Sequence, residues 1–241
     1  ARDDALAQAE QASQAMAAEQ EKLAAASQSL ATLLQDALAA VAPPGDAARE
    51  DVQLLRAQSC AILSTAQTVL ADDALLNVRS AAITPLENGQ LRQPLRVILD
   101  SRGRLTGTEP IFTTGGDILL IHQTGLQLPE INTSASKVER VALPLNNKHR
   151  FDLEAILKLL ASKAIHLLWV EAGGQLSNQF WNDGLIDELV LYQAPMLLGQ
   201  NATPMLQLPT YHQISETPRW QWQDVCKIGD DLRLIARLKG H

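Results

Sequence analysis

At 241 residues, with 46% hydrophobic and 20% charged residues, the chain has the make-up of a globular protein with room for a large buried core. A formal net charge of −7 argues against a nucleic-acid-binding surface, which needs a basic face, while leaving room for a local basic pocket. Cys60 and Cys226 stand far apart and suggest neither a disulfide framework nor a cysteine metal cluster, and no apolar run reaches the roughly 20 residues of a membrane helix, so the expected location is the cytoplasm.

Residues 1–42 contain no glycine, proline or aromatic residue and are rich in alanine and glutamine, which predicts helix. Met16, Leu23 and Leu30 recur every seven residues, with Leu34, Leu38 and Val41 beyond them, so the apolar stripe is thin. One straight helix of that length would be about 63 Å long, more than a compact domain of this size is wide. A helical hairpin breaking at Ser27-Gln28-Ser29 is therefore expected over a coiled-coil arm. Pro43-Pro44-Gly45 ends the segment and marks a linker. The domain division expected is a helical extension over 1–45 and an α/β domain over 46–241.

From Asp46, a potential cap, a helix is predicted through Gln58 with Val52 and Leu55, and Leu54 as a further candidate, facing a core. Ala61-Ile62-Leu63 reads as a short buried strand leading to a helix start at Ser64–Thr68 and a turn at Ala71–Ala74. Leu95–Asp100, Ile118–Ile121 and Val138–Leu143 are further strands, and Asp152 caps a helix through Lys163. The stretch from Ala164 to Gly199 then reads as strand, glycine turn, helix and strand. His166–Val170 is apolar enough to be buried on both faces, Gly173-Gly174 turn the chain, Gln175–Trp181 form about two helical turns, and Leu189–Tyr192 supply the next strand. Exposed amides at such a helix start favour a phosphate or another anion. A hairpin of Trp220–Cys226 and Leu232–Leu238 closes the chain. Strands separated by helices, with an antiparallel end, give an α/β domain with a mixed sheet.

The five histidines show no paired metal-ligand spacing, and there is neither a Gly-x-Ser-x-Gly elbow nor a P-loop, so zinc chemistry, acyl transfer and P-loop chemistry lack their parts. What remains is a set of polar and charged groups placed at strand ends or on the segments that flank them: Arg56, Thr68, Asp72, Arg79, Ser101 and Glu171. Arginine holds phosphate in a fork and hydroxyls cap phosphate or ribose oxygens, so the set suits a dinucleotide and a sugar phosphate.

The runs AREDVQLLRAQSCAILSTAQTVLADDALLNVR (Ala48–Arg79), QPLRVILDSRGRL (Gln93–Leu105) and LLWVEAGGQLSNQFWNDGLIDELVLYQAPMLLG (Leu167–Gly199) resemble the reductase domain of the bifunctional riboflavin biosynthesis deaminase-reductase. The resemblance covers about residues 47–238, in order. It implies a dihydrofolate-reductase-like α/β fold, a homodimer, NADPH as cofactor, and reduction of the ribose of 5-amino-6-(5-phosphoribosylamino)uracil to ribityl. On the matching positions it implies NADPH contacts at Thr68, Asp72, Ser101 and the turn Gly173, Gly174, Gln175, Leu176, Ser177, Asn178 and Gln179. It implies substrate contacts at Arg56, Leu76 and Arg79, with Glu171 meeting the substrate beside the nicotinamide as the catalytic position. A cofactor of this kind carries the hydride chemistry itself, so no nucleophilic side chain is required.

The sequence departs from the family where a first strand like LKLAASLDG and a following SxW segment are expected; the alanine-rich helical stretch stands in their place, and the zinc deaminase domain is absent. Two readings stay open. One is an NADPH-dependent reductase, favoured by retention of Arg56, Arg79 and Glu171 together. The other is a truncated or chimeric scaffold without catalysis, a nucleotide-binding or dimerisation module with a helical interaction arm, favoured by loss of the first strand.

Overall fold

The computed structural model describes residues 45–199, 202, 204–206, 208 and 210–238. The helical extension expected before Gly45, with most of its linker, lies outside the described residues.

Helix α1 spans Asp46–Gln58, and Gly45, not Asp46, is its N-cap. Asp46 opens the first turn and pairs with Arg49, and the Gly45 amide donates to Asp231 Oδ2 at 2.8 Å. Strand β1 (Ala61–Thr65) runs straight into α2 (Ala66–Asp72), whose first turn is capped by the Thr65 hydroxyl accepting from the Thr68 amide. Strands β2 (Leu95–Asp100), β3 (Ile118–Gln123) and β4 (Val138–Leu143) follow, then α3 (Leu153–Ser162) and β5 (Leu168–Val170). As expected, the Asp152 side chain caps α3, accepting from Ala155 N at 3.3 Å.

These five strands form one all-parallel sheet in the order β4-β3-β2-β1-β5. Its three central strands are nearly continuous apolar runs because both faces are covered. Ala61, Leu63, Val97, Leu99, Leu119 and Ile121 point to the face packed by α3 and by Phe180 further on, while Ile62, Ile98, Ile118 and Leu120 point to the face packed by Val69, Leu105, Ile111 and Phe112. The alternation of odd and even positions is the two-residue period of a strand read across two cores.

After β5, the glycine turn leads into α4 (Gly174–Asn182) and then β6 (Glu188–Gln193). Strand β6 does not return to the parallel sheet. It pairs antiparallel with β8 (Asp231–Leu238), which forms a hairpin with β7 (Trp220–Ile228), giving a three-stranded sheet in the order β6-β8-β7. The parallel and antiparallel parts expected of a mixed sheet are thus both present, as two hydrogen-bonded sheets. Strands β5 and β6 each keep one edge with no strand beside it among the described residues. This corrects the expectation that His166–Val170 is buried on both faces: β5 is an edge strand of only three residues, its side chains are half-buried, and the preceding Leu167 is 52% exposed.

Helix α1 meets the second sheet through charge. Asp51 accepts from Arg233 Nη1 at 2.9 Å and from the Tyr192 hydroxyl at 2.5 Å, and Arg233 Nη2 reaches Asp224 at 2.8 Å. Burial, and then the adjacent Asp51 carboxylate, push the Tyr192 phenol well up from its ordinary value, so it stays a donor. This polar seam explains why Val52 and Leu55 are only half-buried, whereas Ala48 and Gln53 are the deepest residues of α1. On the far side of the second sheet, Trp220 stacks on Trp181 of α4 at 5.3 Å. Trp220 is therefore half-buried by the chain itself, whereas Trp222 remains 56% exposed.

Candidate active site

In a parallel sheet all carboxyl ends lie along one edge, and a crevice opens where the strand order reverses. Here the order steps from β1 outward to β4 and then returns to place β5 on the other side of β1, so the reversal lies between Thr65 and Glu171. Two cavities open in this region.

The larger, about 830 Å³, runs along the carboxyl edge and is lined by Thr65 and Thr68, by Ser101 and Arg102 after β2, by the Lys148–Phe151 turn, and by Gly173, Gly174, Gln175, Leu176 and Gln179. The glycine turn is shaped for close approach: Gly173 has extended φ and ψ, and a Cβ built on it would meet no atom within 4 Å. The first amides of α4, on Gly174 and Gln175, have no acceptor among the described residues, since Gly173 O takes the amides of Leu176 and Ser177. Ser177 itself turns back, its hydroxyl donating to Ala172 O at 3.1 Å, and Gln179 Nε2 donates to Phe151 O at 2.8 Å, tying α4 to the wall of the cleft. Leu176 is buried and packs into the core as it lines the cleft floor. Neither Ser177 nor Asn178 lines this cleft.

The smaller cavity, about 350 Å³, is lined by Arg56, Asp72, Asp73, Ala74, Leu75, Leu76 and Arg79. It gathers three of the four residues expected to meet substrate, Arg56, Leu76 and Arg79, with Asp72 beside them, whereas the fourth, Glu171, lines neither cavity. Asp72 sits at the last turn of α2, away from Thr68 in the first, so the structure separates these two expected cofactor residues between the cavities.

The segment from Asp73 to Arg79 is irregular, with Asp73 and Leu76 at φ of 47° and 50°, a left-handed conformation unfavourable for side chains other than glycine. Four long side chains hold it. Arg56 Nη1 donates to Asn77 O at 3.0 Å; the Gln53 amide oxygen accepts from Arg79 N at 3.0 Å; Gln93 bonds Val78 at both its N and O, each at 2.8 Å; and Arg96 Nη1 donates to Leu75 O at 3.3 Å. Arg96 is almost fully buried and donates to Ile111 O, Thr114 O and Gly116 O as well, so it clamps this segment to the loop before β3. Burial lowers its guanidinium to about 10, which leaves it charged at neutral pH. The Leu76 side chain is buried against the core, so it is its backbone that is presented to the cavity.

Beside this cavity Arg56 and Glu171 form a two-pronged ion pair, Nε to Oε1 at 2.7 Å and Nη2 to Oε2 at 2.6 Å, with side-chain exposures of 12% and 23%. Trp169 Nε1 donates to the same Oε1 at 2.6 Å. Glu171 thus neutralises Arg56, while the Arg79 side chain, among the described residues, bonds only Asn77 Oδ1, at 3.2 Å, and keeps its charge available. Sequence reasoning missed the Arg56–Glu171 pairing, whose members are 115 positions apart, and the cations that Arg102, Arg104, Lys148 and Arg150 bring to the larger cleft. A polar loop residue placed just after each predicted strand was the available signal for those four.

No group of histidine, cysteine or acidic residues among the described residues can hold a metal ion, and no helix among them is long and apolar enough to cross a membrane.

Such a parallel α/β sheet, with a glycine turn and a cleft at its carboxyl edge, places the chain among proteins that bind ligands at that edge. Residues 3–234 match the RibD C-terminal domain model, and the chain belongs to that family. That match takes in much of the alanine-rich stretch that the resemblance over about 47–238 left out. The riboflavin biosynthesis protein RibD of Haemophilus influenzae is 38% identical over 201 residues, covering 81% of this chain and 52% of that protein. A Buchnera aphidicola protein named 5-amino-6-(5-phosphoribosylamino)uracil reductase is 34% identical over 197 residues, covering 80% of this chain and 93% of its own length. The solved structure of Acinetobacter baumannii RibD superposes with a TM-score of 0.68 at 34% identity, covering 81% of this chain and 51% of that one. The chain thus spans about half the length of the RibD proteins it matches.

Proposed function

We propose that this chain is an NADPH-dependent reductase that converts the ribose of 5-amino-6-(5-phosphoribosylamino)uracil to ribityl. The observation that carries this reading is the smaller cavity, which gathers Arg56, held to Glu171 at the end of β5, with Leu76 and Arg79, whose guanidinium has no carboxylate partner among the described residues. The residues present fit the cofactor: the larger cleft has the volume, the empty space at Gly173 and the unpaired amides of α4 that a diphosphate needs. When bound, NADPH supplies the hydride that reduces the sugar's C1. Thr68, Ser101, Gly173, Gly174, Gln175, Leu176 and Gln179 hold the cofactor in this reading, and Arg79 takes the ribose phosphate. Glu171, fixed by Arg56 and Trp169, presents carboxylate oxygens to the substrate's donor groups. The segment 73–79 is already fastened, so little ordering remains to be done on binding.

Substrate-dependent oxidation of NADPH by the purified chain is the test, and its absence with both ligands bound would overturn the reading. A second reading, a nucleotide-binding scaffold without turnover, is favoured by the edge of β5 beside Glu171, which no strand among the described residues covers; it predicts NADPH binding with no oxidation. We also propose a homodimer through the outer face of the second sheet, where Trp222, Val225 and Leu232 are exposed. Light scattering that shows a monomer at micromolar concentration would remove it.

A further inference from the structure

Arg79 combines a free head with a fixed root. Its residue is exposed and its guanidinium bonds only Asn77 Oδ1 among the described residues, yet the backbone that carries it is held tightly. The peptide group that joins Val78 to Arg79 is caught at both ends by side-chain amides from different elements. Its carbonyl oxygen, on Val78, accepts from Gln93 Nε2 at 2.8 Å, and its N–H, on Arg79, donates to Gln53 Oε1 at 3.0 Å. Gln93 Oε1 also accepts from Val78 N at 2.8 Å, so this glutamine meets Val78 as a residue on a neighbouring strand would.

Both glutamines are themselves seated. Gln53 is buried on α1, and Gln93 lies in the segment that leads into β2, where Gly116 leaves room for it: a Cβ at Gly116 would stand 3.1 Å from Gln93 Cβ. Just beyond Arg79, Ser80 is buried and its hydroxyl donates to Glu50, one turn before Gln53 on the same helix.

A peptide group is planar, so holding both of its polar ends fixes ψ of Val78 and φ of Arg79, and with them the direction in which the Arg79 side chain leaves the backbone. Ordering two glutamine side chains costs rotamer entropy, and the segment they hold already carries Leu76 at a φ of 50°. What the two amides add beyond satisfying these backbone groups is a fixed place for Arg79. An anion then meets a guanidinium whose root needs no ordering on binding.

We propose that Gln53 and Gln93 are positioning residues that act through Arg79, and that their hold on one peptide group sets how tightly the small cavity binds the phosphate end of its ligand. This rests on the reading of that cavity as the sugar-phosphate site. The test titrates the full chain, Gln93→Met, Arg79→Ala and the double variant with the ribosylamino pyrimidine phosphate, its dephosphorylated form and NADPH, with the fold checked by circular dichroism. Gln93 is half-buried and methionine matches it in length, so the variant should fold; Gln53→Met removes the brace from the other side and is read in the same way. Gln93→Met should bind the phosphate roughly tenfold more weakly and stay within about twofold for the dephosphorylated form and NADPH. In turnover the loss should fall on KM and not on kcat. Because the glutamine acts through Arg79, the double variant should match Arg79→Ala within about twofold. Equal losses for all three ligands, a double variant in which the two losses multiply, or unchanged phosphate affinity in both glutamine variants would overturn the positioning role while leaving the sugar-phosphate reading in place. An Arg79→Ala chain that binds the phosphate as tightly as the wild type would remove that reading and the positioning role with it. Phosphate binding that depends on Gln93 and Arg79 in a chain that never oxidises NADPH keeps the positioning role and removes the reductase reading.

Discussion

Arginines at the two ends of one sheet edge are treated in opposite ways. At the β5 end Arg56 is largely buried, spends its donors on Glu171 and Asn77, and braces the segment that frames the small pocket. At the β2 and β4 end Arg102 and Arg150 stand exposed with no partner among the described residues. Neutralised charge positions, whereas unneutralised charge on a rigid turn waits for an anion. Arg79 belongs with the second kind although it sits among the first. The same residue type thus has two roles, and burial with a carboxylate partner separates them.

Breaking the braced end should have the largest effect. Arg56→Ala leaves Glu171 without its cation and frees Asn77, so it should lower stability by about 2–3 kcal/mol, less than for a fully buried pair because both side chains keep some exposure. Substrate reduction should fall further than stability alone explains, and urea unfolding beside steady-state kinetics would separate the two. If Arg56→Lys restores both, a single charge suffices and the two-pronged geometry does not matter.

Arg79→Ala tests the unneutralised member of the small pocket. Losing one charge-assisted contact to a phosphate costs about 1.5–3 kcal/mol, or roughly ten- to a hundredfold in affinity for the ribosylamino phosphate. The dephosphorylated analogue and NADPH should be nearly indifferent in equilibrium titrations. Weakened NADPH with unchanged sugar phosphate would mean that the two pockets are assigned the wrong way round.

Gly173→Val sharpens the comparison from the neutral middle of the edge. The added side chain enters space that no described atom fills and demands no forbidden backbone angle, so the fold should stand while the cofactor's approach is obstructed. A loss of about 1–2 kcal/mol in NADPH binding is expected, with an unchanged urea midpoint. Gly174 is a less clean place for this change, because a Cβ there already meets the Met205 and Pro204 carbonyls at 3.5 and 3.7 Å.

Strands β1 to β4, α3 and the closing hairpin were legible because apolar runs, caps and turn residues are local signals. The glycine turn was legible for the same reason. The division into two sheets was not, since an apolar run such as Leu168–Val170 reads the same whether it is central or at an edge. The candidate site divided likewise. Residue types at strand ends pointed to Thr68, Ser101, Arg79 and Glu171, but nothing local shows that Arg56 is already paired, that Asp72 falls in the smaller cavity, or that the turn at Lys148–Arg150 comes round to face Arg102. Arg96 escaped notice because a charged residue inside LRVILD reads as an outward-facing position, whereas its guanidinium finds a cage of carbonyls within the core.

The most direct measurement of the central claim is isotope transfer. The chain is incubated with the ribosylamino pyrimidine phosphate and NADPH carrying deuterium in its transferable position, and the product is analysed by mass spectrometry and NMR. The expected result is one deuterium on C1 of a ribityl side chain, formed in step with NADPH oxidation and lost in Arg79→Ala at substrate levels well below saturation. A chain that binds both ligands and returns the ribosyl compound unreduced and unlabelled would contradict it.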